Sequence, residues 1–241
     1  MTDQPVLQAH GIRMSFGNLR AVNGVSLDVA RGTVVGLLGP NGSGKSTFFD
    51  CVSGIVKPDS GRVVLAGRDV TGQRAYKVAR AGMGRTFQIA TPFASMSVLE
   101  NMLVPEMVGG GRDAEHRAWE ILQRLTLDRL ADEPADSLSG GQMKLLDFAR
   151  LLMWAPKVVL LDEIGAGVHP KLKDVMIGAI RRYQEDGIGF LLVEHDMDFV
   201  QKLCDEVYVM ALGEVIARGT FDQIVQDPKV IDSYLGAEVG V

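Results

Sequence analysis

A chain of 241 residues with 46% hydrophobic content has enough apolar material for a sizeable core, and its two cysteines, Cys51 and Cys204, lie too far apart for a C-x-x-C site, so neither a disulfide framework nor a zinc site is expected. A formal net charge of −5 leaves no basic footprint for nucleic acid. The longest apolar runs, Val34 to Leu38 and Val158 to Leu161, fall far short of the roughly 20 residues that span a bilayer, and Met1 to Pro5 has neither the basic nor the apolar part of a secretory signal, so a cytoplasmic chain that does not itself cross a membrane is expected.

In chain order, Val6 to Val29 alternates apolar and polar residues, with turn signals at Gly17-Asn18 and Asn23-Gly24, which predicts short antiparallel strands. Thr33 to Leu38 is a continuously apolar strand that enters a glycine-rich loop, and Lys45 to Cys51 follows as a helix. Arg62 to Ala66 is a further strand after the turn Pro58 to Gly61, and Gln73 to Ala81 is helical. From about Ser97 to Trp154 the period changes: Asp113 to Leu127 and Gly141 to Trp154 carry apolar residues at helical spacing. Strands at Lys157 to Leu161, Ile188 to Val193 and Glu206 to Met210 then alternate with helices at Pro170 to Gln184 and Met197 to Leu203, the order of a mostly parallel sheet wrapped by helices.

The segment Gly39-Pro40-Asn41-Gly42-Ser43-Gly44-Lys45-Ser46 matches G-x-x-x-x-G-K-[ST] in full and sits between a predicted strand and a predicted helix. Its glycines let successive N–H groups and a helix N-terminus face phosphate oxygens; Lys45 is placed to bridge β- and γ-phosphates and Ser46 to hold Mg²⁺, with Thr47 completing the phosphate-facing turn. A site of this kind needs an acidic partner at the end of a neighbouring strand, and Val158 to Glu163 supplies two: Asp162 for the metal and Glu163 to polarise the attacking water. Leu138-Ser139-Gly140-Gly141-Gln142 is a second glycine turn opening a helix. It reads either as an ordinary N-cap or, if two chains pair, as a cap on the γ-phosphate bound by the other chain.

Taken together, the phosphate loop, Leu138 to Gln142, Asp162-Glu163 and His195 resemble the ATP-binding subunits of ABC transporters over essentially the whole chain. The resemblance implies a RecA-like P-loop NTPase fold of α/β class, with an antiparallel β subdomain in a core of about residues 1–94 and 156–241 and a helical insertion of about 95–155. It implies ATP and Mg²⁺ as ligands, with Phe16 stacking on adenine, Gln88 sensing metal and lytic water, and His195 acting as the switch at the γ-phosphate. The partners it implies are a second ATPase subunit, identical or paralogous, transmembrane permease subunits docked near Gln88 to Ala94 and the helical arm, where Phe87, Ile89 and Phe93 either offer apolar contacts or pack into the core, and a substrate-binding protein indirectly. The working place would be peripheral, on the cytoplasmic face of the membrane.

Gly84 to Gln88, Ala166 to Lys171 and the tail from Ala217 through Asp227-Pro228 to Gly236 are similar to the subunits that serve importers of branched-chain amino acids. Two positions depart from the family pattern: Ile164 replaces the usual Pro, and His169 the usual Asp or Asn. Rival readings are a soluble ABC-type ATPase acting on DNA or ribosomes, against which the acidic charge and the single cassette count, and a regulatory nucleotide-binding module without turnover, against which Glu163 and His195 count.

Overall fold

The computed structural model describes residues 4–88, 90–109 and 113–238, without the side chains of 106–109 and 235–238. Two sheets organise the chain. The smaller is antiparallel and contains β1 (Leu7–Phe16), β2 (Leu19–Val29), β4 (Ser60–Leu65) and β5 (Arg68–Asp69) in the order β2-β1-β4-β5. The larger runs β10-β9-β3-β8-β7-β6, from β3 (Val34–Leu38), β6 (Met83–Arg85), β7 (Val158–Asp162), β8 (Gly189–Val193), β9 (Glu206–Ala211) and β10 (Glu214–Gly219). Its strands pair in parallel except β10, which closes the edge antiparallel to β9.

Side-chain alternation in the larger sheet divides the core. On β7 and β8, Val159, Leu161, Phe190 and Leu192 face one layer, while Val158, Leu160, Leu191 and Val193 face the other. The first layer is covered by α3 (Val98–Gly109), α4 (Ala114–Arg124), α5 (Gly140–Leu152) and α6 (Pro170–Glu185), which contribute Met102, Leu122, Phe148 and Ile180. The second holds α1 (Lys45–Ser53) and the antiparallel sheet, through Phe48, Phe49, Leu27 and Leu65. A smaller cluster packs α7 (Met197–Leu203), α8 (Phe221–Ile224) and α9 (Pro228–Glu238) near the β9–β10 edge through Val200, Ile224 and Val230. The short α2 (Ala75–Arg80) precedes β6.

Most elements lie within a few residues of their sequence-predicted positions. One turn does not exist: Asn23-Gly24 lies inside β2, where the pairing with β1 shifts register between Ile12↔Val25 and Arg13↔Asn23. A bulge in a long strand carries the same residue types as a hairpin turn. Helix α3 contains Pro105, the residue that argues most strongly against a helix interior. Its first turns are secured instead by Asn101, fully buried, whose side chain accepts from Phe93 N–H and donates to the carbonyls of Phe93, Met96 and Ser97.

Parallel pairing puts four strand ends on one side of the sheet. The chain leaves β3 into the phosphate loop, β8 into Glu194-His195, β7 into Glu163 and β6 into Thr86-Phe87-Gln88. Ligands of open α/β sheets bind beyond the carboxyl ends of the strands.

Candidate nucleotide-binding and hydrolysis site

The loop after β3 turns tightly enough that no side chain fits at two of its glycines. A Cβ on Gly39 would lie 2.1 Å from Met210 O, and one on Gly44, where φ is 101°, would lie 2.1 Å from Ala21 O. Gly44 is also the N-cap of α1, so the first-turn N–H groups of the helix open toward the loop. Lys45 is nearly buried, and its ammonium donates to Gly39 O at 2.8 Å, Pro40 O at 2.9 Å and Ser43 Oγ at 3.4 Å. Burial pushes its pKa down, opposed by the negative charges of Glu163 and Asp162.

A cleft of about 540 Å³ opens over this loop, lined among others by Phe16, Asn41 to Thr47, Glu163 and His195. Phe16, at the end of β1, is half exposed there. At the cleft mouth, Glu163 accepts from Gln88 Nε2 on Oε2 at 2.8 Å and lies 3.3 Å from His195 Nε2 through Oε1. These three side chains come from three different strand ends. Glu163 is a non-glycine residue at φ 48°, a left-handed conformation that costs about 1 to 3 kcal/mol and is typical of functional positions.

Asp162 does not line the cleft; its Oδ2 lies 3.5 Å from Arg85 Nη2. Burial raises the pKa of its carboxyl, Arg85 lowers it, and Glu163 adds a further upward push. Arg85 also donates to Asp50 at 2.7 Å and to Ser53 at 2.8 Å, tying the phosphate-loop helix to the β6 end. Ser46 is exposed at the start of α1 on the cleft wall.

Ser139 to Gln142 lie away from this cleft. They form a capping box: the backbone N–H and hydroxyl of Ser139 donate to Gln142 Oε1, each at 2.8 Å, and the Gln142 N–H donates to Ser139 Oγ at 3.4 Å. Of the two departures, Ile164 is buried in the helix-side core, and His169 serves as N-cap of α6, its Nδ1 accepting from Lys171 N–H at 3.3 Å. His169 therefore does the local work expected of Asp or Asn.

Several contacts escaped the sequence. Lys144 of α5 donates to the carbonyls of Glu163 (2.9 Å) and Ala166 (2.7 Å). The Glu194 carboxylate, 2% exposed, accepts from the Gly165 N–H and, at 3.3 Å, from the His195 N–H. Tyr234 of α9 reaches the phosphate loop: burial raises its phenol pKa, opposed by a hydrogen bond with the Gly39 backbone. The available signals were the adjacency of Glu194 to His195 and the place of Tyr234 in the Ala217 to Gly236 tail.

The ABC transporter family model matches residues 22–166, and a model of branched-chain amino acid ATP-binding cassette transporters matches 214–240. The chain is 41% identical to a LivG protein of Archaeoglobus fulgidus, with 97% of this chain and 96% of the relative covered. It is 37% identical to the high-affinity branched-chain amino acid transport ATP-binding protein BraF of Pseudomonas aeruginosa, covering 97% and 98%. Among solved structures, the ADP conformation of an ATP-binding cassette of an ABC transporter superposes with TM-score 0.89 at 36% identity, over 97% of this chain and 99% of that one. A nucleotide-free cassette gives TM-score 0.88 at 36% identity, covering 96% and 99%. With relatives of this identity spanning nearly its full length, and with the phosphate loop and the acidic strand end set on one edge of the sheet, the chain belongs to the ABC transporter family as an ATP-binding, ATP-hydrolysing subunit.

Proposed function

We propose that Glu163 orients and polarises the water that attacks the γ-phosphate, that Gln88 and His195 hold Glu163 and the phosphate in register, and that Phe16 stacks on the base. The observation that carries this reading is that Gln88 and His195 both converge on Glu163, which lines the Lys45 cleft. Among the described residues no three His, Cys, Asp or Glu side chains gather as a self-sufficient metal site. The oxygen donors Ser46, Asp162 and Gln88 suit Mg²⁺, which is commonly held by one or two carboxylates together with substrate phosphates. These residues would hold the ion beside the cleft, where its charge would offset that of the phosphates. The chain's own part is to cradle the phosphates with loop N–H groups and Lys45, and to accept the water's proton on Glu163.

The exposed cap at Ser139 to Gln142, outside the chain's own cleft, supports a composite site in which a second ATPase subunit, identical or paralogous, caps the γ-phosphate. Ser139→Arg should then leave nucleotide affinity of the isolated chain nearly unchanged while abolishing turnover; equal loss of both would sink the composite site.

A groove of about 730 Å³, lined by Tyr76, Phe87, Phe93, Pro105 and Trp154 among others, fits the apolar face of a transmembrane permease subunit. Ile89, the third apolar contact expected there, lies outside the described residues. No helix among the described residues is long and apolar enough to cross a membrane, which suits peripheral work on the cytoplasmic face beside such a permease. The names of the relatives and the 214–240 match support uptake of branched-chain or other hydrophobic amino acids, with a substrate-binding protein as an indirect partner. The net charge of −5 speaks against nucleic acid. Uptake of radiolabelled leucine by cells lacking the gene tests the cargo: undiminished uptake would contradict it.

A further inference from the structure

Glu163 and His195 sit on the ends of neighbouring parallel strands, and backbone pairing alone joins them only as far as Asp162↔Val193. Beyond that register each segment is a loop. The Glu163 N–H still reaches Val193 O at 2.9 Å, but the peptides that follow have left the sheet. Besides the direct Glu163–His195 contact, the Glu194 side chain ties the two backbones together. The Glu194 carboxylate accepts the Gly165 N–H on Oε1 and the His195 N–H on Oε2, one oxygen for each loop. Gly165 makes this approach possible, because a Cβ there would lie 3.0 Å from Glu194 Oε1. Lys144 grips the carbonyls of Glu163 and Ala166, and its ammonium also acts on the Glu194 carboxylate, so the strained Glu163 backbone is held by a second side chain as well.

We infer that Glu194 is a positioning residue for ATP hydrolysis: its two carboxylate oxygens fix the separation between the loop that carries Glu163 and the loop that carries His195. The inference rests on the reading of Glu163 and His195 as the hydrolytic pair. A buried carboxylate is costly unless both oxygens are hydrogen-bonded, and an apolar residue after β8 would fill the space without that cost. A displacement of about 1 Å between reacting groups can lower a rate by about 100-fold, so a bridge between these loops acts on the chemical step and leaves the phosphate loop untouched.

The test uses the full chain with Glu194→Ala, Glu194→Gln and Glu163→Gln, reading kcat for Mg-ATP hydrolysis beside the Kd of a fluorescent ATP analogue, with thermal unfolding to show folded protein. Glu194→Ala should lower kcat by about 10- to 100-fold, and Kd should stay within about twofold. The amide oxygen of Glu194→Gln still accepts from Gly165, whereas its NH₂ cannot accept from His195, so that variant should recover part of the lost kcat. If the Ala variant does not fold, the Gln variant decides, with a reduced kcat at unchanged Kd expected. Folded variants with kcat within about twofold of the parent, or with Kd weakened in parallel with kcat, overturn the inference. Turnover retained by Glu163→Gln would fault the assignment of the base itself, whereas turnover lost there and retained in both Glu194 variants would fault only the positioning role.

Discussion

Gln88 Nε2 donates to Glu163 Oε2 at 2.8 Å across a sequence separation of 75 residues. The bond joins the segment after β6, which also supplies the groove residue Phe87, to the carboxylate at the nucleotide cleft. Gln88→Ala should therefore slow hydrolysis about 10-fold, the lower end for losing a hydrogen bond to a charged group, because this one is open to solvent. A steady-state phosphate-release assay checks it; unchanged kcat would detach Gln88 from the site.

Lys45 spends its ammonium on the carbonyls of its own loop, at 2.8 and 2.9 Å. On the proposed reading it exchanges them for phosphate oxygens. Lys45→Ala should weaken nucleotide binding by about 10- to 100-fold, the worth of charge-assisted hydrogen bonds of about 1.5 to 3 kcal/mol. Titration with a fluorescent ATP analogue measures this directly, and parent-like affinity would contradict it.

Both cysteines should be inert in the folded chain. Burial raises the Cys51 thiol to about 11 and the Cys204 thiol to about 12. Unfolded thiols titrate at about 8.5, so the folded state gains stability from these groups that is complete below that pH and is lost as pH rises through about 11 and 12. Iodoacetamide at pH 8 should label neither residue until denaturant is added; rapid native labelling would show that one of them is accessible as thiolate.

Ser139 to Gln142 should act on the nucleotide of another chain. A hydrolysis-deficient Glu163→Gln subunit should then accumulate as an ATP-dependent dimer, visible in size-exclusion chromatography with and without Mg-ATP, while the parent stays mainly monomeric. A monomer under both conditions would count against the composite site.

What the sequence made legible follows from local physics. The strands of the larger sheet are buried on both faces, so Val158 to Leu161 and Phe190 to Val193 read as unbroken apolar runs, and the phosphate loop is written in contiguous residues whose spacing its geometry demands. Local cues misled where two structures share them, as at Asn23-Gly24, a bulge in turn-like letters. Helix α3 falls inside the helical insertion expected over about Ser97 to Trp154, but its bounds carry no amphipathic signal of their own; it holds Pro105, and the Asn101 side chain secures its first turns. The pairing of Arg85 with Asp162, and the grip of Lys144 and Glu194 on the loop after Glu163, depend on partners 77, 19 and 29 residues away and leave no periodic trace. His169 was legible as a departure, but its capping role needed the ring's placement over the α6 terminus.

The role of Glu163 carries the whole account of hydrolysis, and single-turnover phosphate release from Mg-ATP by Glu163→Gln tests it most directly. The substitution removes one negative charge and spares the loop, Lys45 and Asp162, so nucleotide should still bind while release slows by about 10²- to 10⁴-fold, the usual contribution of a general base. Release at the parent's rate by a fully nucleotide-loaded variant would contradict the account.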